Sequence, residues 1–183
     1  MSTSQVAIIA VLVLGGALLV WRLTAGARFF IRFGGRRLIT CPETRKPAAV
    51  EVAAGRGATK AFTGSFDLEL QNCSRWPERK DCGQDCLSQI QADPEGCLVW
   101  NIVNRWYSKR NCALCGNRFE KIQWQDHRPA VLDENLKTLQ WTEIAPEDLP
   151  EVFATHQPVC WDCHISESFR RDHPELVTER LKH

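Results

Sequence analysis

Asn111-Cys112-Ala113-Leu114-Cys115-Gly116 and Cys160-Trp161-Asp162-Cys163-His164 are the stretches on which the reading of this 183-residue chain turns. Each holds two cysteines separated by two residues. Thiolates so spaced reach one ion when the backbone turns tightly between them. Gly116 directly after the first pair permits such a turn, because glycine enters backbone conformations closed to other residues. Four thiolates at about 2.3 Å suit tetrahedral zinc. Four negative sulfurs around a dication leave a small anionic unit that backbone N–H groups can stabilise.

Working outward, the residues between the pairs have a readable order. Val131-Leu132 and Leu136 to Trp141 flank Asp133-Glu134-Asn135, the pattern of a β-hairpin. Pro146 to Thr155 predicts a short helix with proline in its first turn. Ile165 to Asp172 predicts a helix stopped by His173-Pro174. A CxxCG turn, a hairpin, then a CxxC leading into a helix resembles a treble-clef zinc finger over roughly residues 111–172. The resemblance implies a structural zinc held by Cys112, Cys115, Cys160 and Cys163. It also implies that the second pair sits at a helix N-terminus, where the dipole favours thiolate. The long insert between the pairs, with its own helix, departs from the family pattern.

Cys160-Trp161-Asp162-Cys163-His164 also has the form of a c-type haem attachment motif. On that reading both cysteines become thioethers and His164 is the axial ligand. An iron–sulfur cluster on the cysteines is a related alternative, and both would make the chain an electron carrier. The haem reading leaves Cys112 and Cys115 unexplained. A thioredoxin-like dithiol lacks the βαβ pattern that would surround it.

Nine cysteines are many for this length. The other five are Cys41, Cys73, Cys82, Cys86 and Cys97. Cys82 and Cys86 are four apart and share one face of a helix. With Cys73 and either Cys41 or Cys97 they make a candidate second metal site. The competing reading treats several of them as small buried apolar residues, which suits Cys97 beside Leu98 and Val99.

No nucleophile elbow, phosphate loop or dinucleotide fingerprint is present. His127 follows Asp126, as a hydrogen-bonded base might, but such pairs are common on surfaces. His156 lies four residues before Cys160 and is placed at a helix end. These features point to a non-catalytic protein.

The first 21 residues carry no charged side chain, and Val6 to Val20 is almost wholly apolar. A helix needs about 20 such residues to span a bilayer. Arg22, Arg28, Arg32, Arg36 and Arg37 follow it, and positive flanks stay cytoplasmic. The expectation is a single-pass protein of the inner, cytoplasmic membrane, with its N-terminus outside and its domain inside. Ala25-Gly26-Ala27 resembles a cleavage site, but a signal peptide carries its positive charge before the apolar stretch. Phe29-Phe30-Ile31-Arg32-Phe33 reads either as a surface-lying continuation or as a helix end entering a strand.

Arg37 to Thr40 and Ala48 to Val52 are short β-like runs, Gly55-Arg56-Gly57 reads as a loop, and Phe66 to Leu70 as a half-exposed strand. Cys82 to Gln91 and Cys97 to Arg110 predict helices, the second serving the first part's core. The expected organisation is an anchor at 1–28, an α+β subdomain at 29–110 and a metal-binding subdomain at 111–183. The fold class is α+β.

Charge is unevenly placed. Residues 1–111 carry fifteen Lys and Arg against nine Asp and Glu, and residues 112–183 carry eight against thirteen. The acidic C-terminal part is a poor match for nucleic acid, which is gripped by clustered positive charge. The expected partners are the membrane and another protein.

Overall fold

The computed structural model describes residues 3–63, 68–78, 81–120, 122 and 124–176. They form a mixed helix-and-sheet structure with two compact units, Met1–Val99 and Trp100–His183.

The first unit opens with helix α1, Thr3–Phe33. Leu12, Leu14, Leu18, Val20 and Trp21 are all exposed, and the apolar surface runs round the helix. An all-round apolar helix needs either a protein core or lipid around it. Ile8–Phe33 is long and apolar enough to cross a membrane, and none of its most apolar window is buried within the protein. The aromatic run at residues 29–33 continues this helix. Phe29 is buried and its ring lies 4.8 Å from that of Phe33, tilted by 45°.

Helix α2, Ala54–Thr63, packs against α1. This corrects the loop expected at Gly55-Arg56-Gly57. Gly57 stands where a Cβ would strike the Phe29 ring, so its role is close helix approach. Glycine read as a loop marker therefore misled.

Strands β1 (Arg36–Thr40), β2 (Pro47–Val52) and β3 (Leu70–Cys73) form an antiparallel sheet in that order. Leu38 faces Ala49, and Val50 faces Cys73. Ile39, Ala48, Val50, Val52 and Leu70 supply its core with Ile90 of helix α3, Leu87–Ala92. Part of the strand expected at 66–70 lies outside the described residues. Arg37 is buried and donates to the carbonyls of Pro94, Arg32 (2.6 Å) and Gly34 (3.2 Å). It thus satisfies the carbonyls that α1 leaves open at its C-terminus.

The second unit is built on a sheet of order β5-β4-β6, with β4 Ala130–Leu132, β5 Thr138–Gln140 and β6 Gln157–Val159. Both pairings are antiparallel, and Ala130 faces Gln140 on one side and Val159 on the other. The expected hairpin is β4–β5. Asp133 Oδ1 accepts from the N–H groups of Asn135 and Lys137, which holds its turn.

Helix α4, Val99–Tyr107, packs in this unit, not in the core of the first part as the sequence suggested. Tyr107 is fully buried and its hydroxyl donates to Ala130 O at 2.8 Å. Trp106 stacks 4.4 Å from Phe153 of helix α5, Leu149–Thr155. Helix α6, Trp161–Asp172, follows β6 directly.

Candidate metal centre

The turn after α4 is tight. Cys112 N–H donates to Asn117 O at 2.8 Å, and Gly116 N–H donates to Cys112 O at 2.9 Å. Gly116 has φ of +74°, where any residue with a Cβ is disfavoured. Ala113 N–H donates to Pro158 O at 2.8 Å and so docks the turn on the free edge of β6. A proline is tolerated in this strand because it lies at the edge of the sheet. That proline is also why the strand was not legible in the sequence.

β6 delivers Cys160 as the extended residue before α6, and Cys163 falls in the first turn of that helix. Cys160 N–H donates to Cys112 Sγ at 3.3 Å, and the sulfurs of Cys115 and Cys160 are 3.8 Å apart. The sulfurs of Cys112, Cys115, Cys160 and Cys163 all lie within 4.8 Å of one another. Tetrahedral bonds of 2.3 Å would separate sulfurs by about 3.8 Å. The four side chains fit a single metal ion.

Their electrostatics say the same. Burial alone would push the Cys112 thiol up, but the N–H groups of Cys115, Cys160 and Leu114 and the Cys115 thiol hold it at about 7. Burial raises Cys160. It raises Cys163 far more, with the neighbouring thiols of Cys160, Cys115 and Cys112 adding to the effect. The group accepts one negative charge readily and resists the next, as coupled acids do. A dication at the centre removes that conflict, since each added thiolate then meets positive charge.

His164 is not one of the converging donors. It is buried, and its Nδ1 lies 2.8 Å from Thr138 Oγ1 of β5. Burial lowers its pKa. It ties α6 to the sheet and so steadies the element that carries Cys163. His127 is exposed and sits edge-on to Trp161 at 6.1 Å. His156 ends α5, with Nδ1 2.8 Å from Thr155 Oγ1.

The five earlier cysteines divide. Cys41, Cys73, Cys82 and Cys86 line one cavity. Cys97 does not, and its thiol lies 3.8 Å from Gln89 O.

No family model matches the chain, and no curated protein and no solved structure matches it.

Proposed function

We propose that this chain is a membrane-anchored zinc protein whose C-terminal unit is a treble-clef-type finger serving as a non-catalytic interaction module. The observation that carries the reading is the convergence of Cys112, Cys115, Cys160 and Cys163 within 4.8 Å. The all-sulfur donor set suits a borderline or soft metal. The Cys112 turn, the hairpin and the helix bearing the second pair support the treble-clef resemblance. A dication with four thiolates has no open position for substrate, so its role is to hold the fold together. Helix α1 is long and apolar enough to anchor the chain, and the arginines after it support a cytoplasmic position for the soluble part. There the finger recruits or supports a protein partner.

Haem attachment would consume Cys160 and Cys163 as thioethers and strand the two sulfurs beside them. The test is elemental analysis of full-length protein purified in detergent. Zinc that is lost from a Cys112→Ser, Cys163→Ser double variant supports the reading. Iron bound at these cysteines, with visible colour, would replace it with electron transfer.

A further inference from the structure

The cysteines of the first unit repeat a local arrangement seen at the candidate metal centre. At Cys112, the N–H groups two and three residues on, from Leu114 and Cys115, favour its thiolate. At Cys41 the same positions are Glu43 and Thr44, and both N–H groups act on its sulfur together with the Thr44 side chain. At Cys73 they are Arg75 and Trp76: burial raises this thiol, and both N–H groups act against that rise. The turn at Cys41 is closed by Arg45 N–H donating to Cys41 O at 2.8 Å and Cys41 N–H to Lys46 O at 2.9 Å. Two separate turns in this unit therefore direct backbone N–H groups at a cysteine sulfur, and at Cys41 they lower the thiol's pKa. Neither has a second cysteine at its third position, where Thr44 and Trp76 stand in place of a Cys115 equivalent.

Two further sulfurs, those of Cys82 and Cys86, line the same cavity as Cys41 and Cys73. This cavity has a volume of about 30 Å³. That is room for at least one water-sized body, enough for a dication. Among the described residues, these sulfurs are spread more widely than those around Cys112. Arg75 lines the cavity too, and its buried Nε has no acceptor among the described residues. Thiolate sulfur would supply one.

The size of the unit argues in the same direction. From the end of α1 at Phe33 to Val99 there are 66 residues, built round a three-stranded sheet and the two helices α2 and α3. Below about 70–80 residues a hydrophobic core alone rarely gives more than 3–5 kcal/mol, and metals commonly supplement it.

We propose that Cys41, Cys73, Cys82 and Cys86 hold a second tetrahedral zinc ion, and that Cys97 takes no part. The site closes the β1–β2 turn, the end of β3 and the start of α3 onto one centre. It stands independently of the Cys112 site.

The test uses the full-length chain in detergent, with zinc counted per chain and cysteines mapped by alkylation under native conditions. Two zinc ions per chain are expected. Cys41 and Cys82 are partly exposed, so they would be alkylated readily if unliganded. The expectation is that Cys41, Cys73, Cys82 and Cys86 resist alkylation together and become reactive together after chelation. A Cys73→Ser, Cys86→Ser variant should fall from two zinc ions to one, keeping the ion at Cys112. One zinc per chain, with Cys41 and Cys82 alkylated before chelation, overturns the second site and leaves the first standing. Protection relieved by reductant but not by chelator also overturns it, since that describes disulfides. The alkylation pattern is read on the unsubstituted chain, so the result does not depend on a variant folding.

Discussion

Gly116 shows how much of the candidate metal centre hangs on one backbone angle. Its φ is +74°, and a Cβ there would meet nothing within 4 Å. The cost of Gly116→Ala is therefore conformational alone, about 1–2 kcal/mol. The strain falls on the turn that presents Cys112 and Cys115. Zinc affinity measured against a competing chelator should drop about tenfold in Gly116→Ala and less in Gly116→Asn, since asparagine tolerates this region better. Equal affinity in all three would mean that the turn does not set the site. Tyr107 permits a second test. It is the chain's single tyrosine, fully buried, and burial raises its pKa strongly. A raised folded pKa means that the stabilisation is intact below the unfolded value of about 10 and is lost as pH rises above it. Tyrosinate absorbance should appear only together with loss of folded circular dichroism at alkaline pH. Tyr107→Phe should cost about 1 kcal/mol at neutral pH through the lost bond to Ala130 O, and should weaken the alkaline transition. Tyrosine ionising near pH 10 with structure intact would contradict this.

At the scale of elements, the α1–α2 contact rests on Phe29 lying over Gly57. Gly57→Ala forces a methyl into the ring and should destabilise the contact by about 1–3 kcal/mol, the usual range for overpacking. Phe29→Leu in the same chain should relieve part of it, so the double variant should be less destabilised than the sum of the singles. Limited proteolysis of α2 in detergent reads both effects, and strict additivity would argue that the two side chains do not meet. The same glycine explains a limit of the sequence. Gly55 and Gly57 read locally as a loop, and only the partner helix makes sense of Gly57. Strand β6 was hidden for a similar reason: three residues with a proline carry no periodic signal, and their role comes from bonding to β4 and to Ala113. Elements fixed by local chemistry were legible. The Asp133 turn declares the β4–β5 hairpin, and His173-Pro174 stops α6. The four cysteines of the candidate metal centre were legible as two pairs because the CxxC spacing is itself the geometry of a tight turn. The grouping of Cys41 with Cys73, Cys82 and Cys86 was open in the sequence, because those residues come to line one cavity only through long-range folding, including the pairing of β1, β2 and β3.

At the scale of the whole molecule, membrane orientation and metal content test each other. Residues 3–21 of α1 carry no charge and rise about 29 Å at 1.5 Å per residue, close to the thickness of a bilayer's hydrocarbon core. Arg36 is paired with Glu51 at 2.9 Å and Arg37 is buried against carbonyls. The part of the positive flank nearest the apolar stretch is Arg22, Arg28 and Arg32. Replacing these three by Gln should reduce the fraction of chains with a cytoplasmic C-terminus, as read by a C-terminal reporter active on one side only. The parent chain should report from inside. Five of the seven tryptophans lie in the second unit, and Trp100 and Trp124 are 4.3 Å apart. Structural zinc contributes about 10–16 kcal/mol in small fingers, more than a small unit's usual stability. Chelation should accordingly abolish the near-ultraviolet tryptophan signal while leaving the helix signal of α1. A parent chain that reports from outside would place nine cysteines in an oxidising compartment, where thiols pair as disulfides. Loss of the predicted orientation would then undercut the zinc reading as well, and the tryptophan signal would respond to reductant instead of chelator.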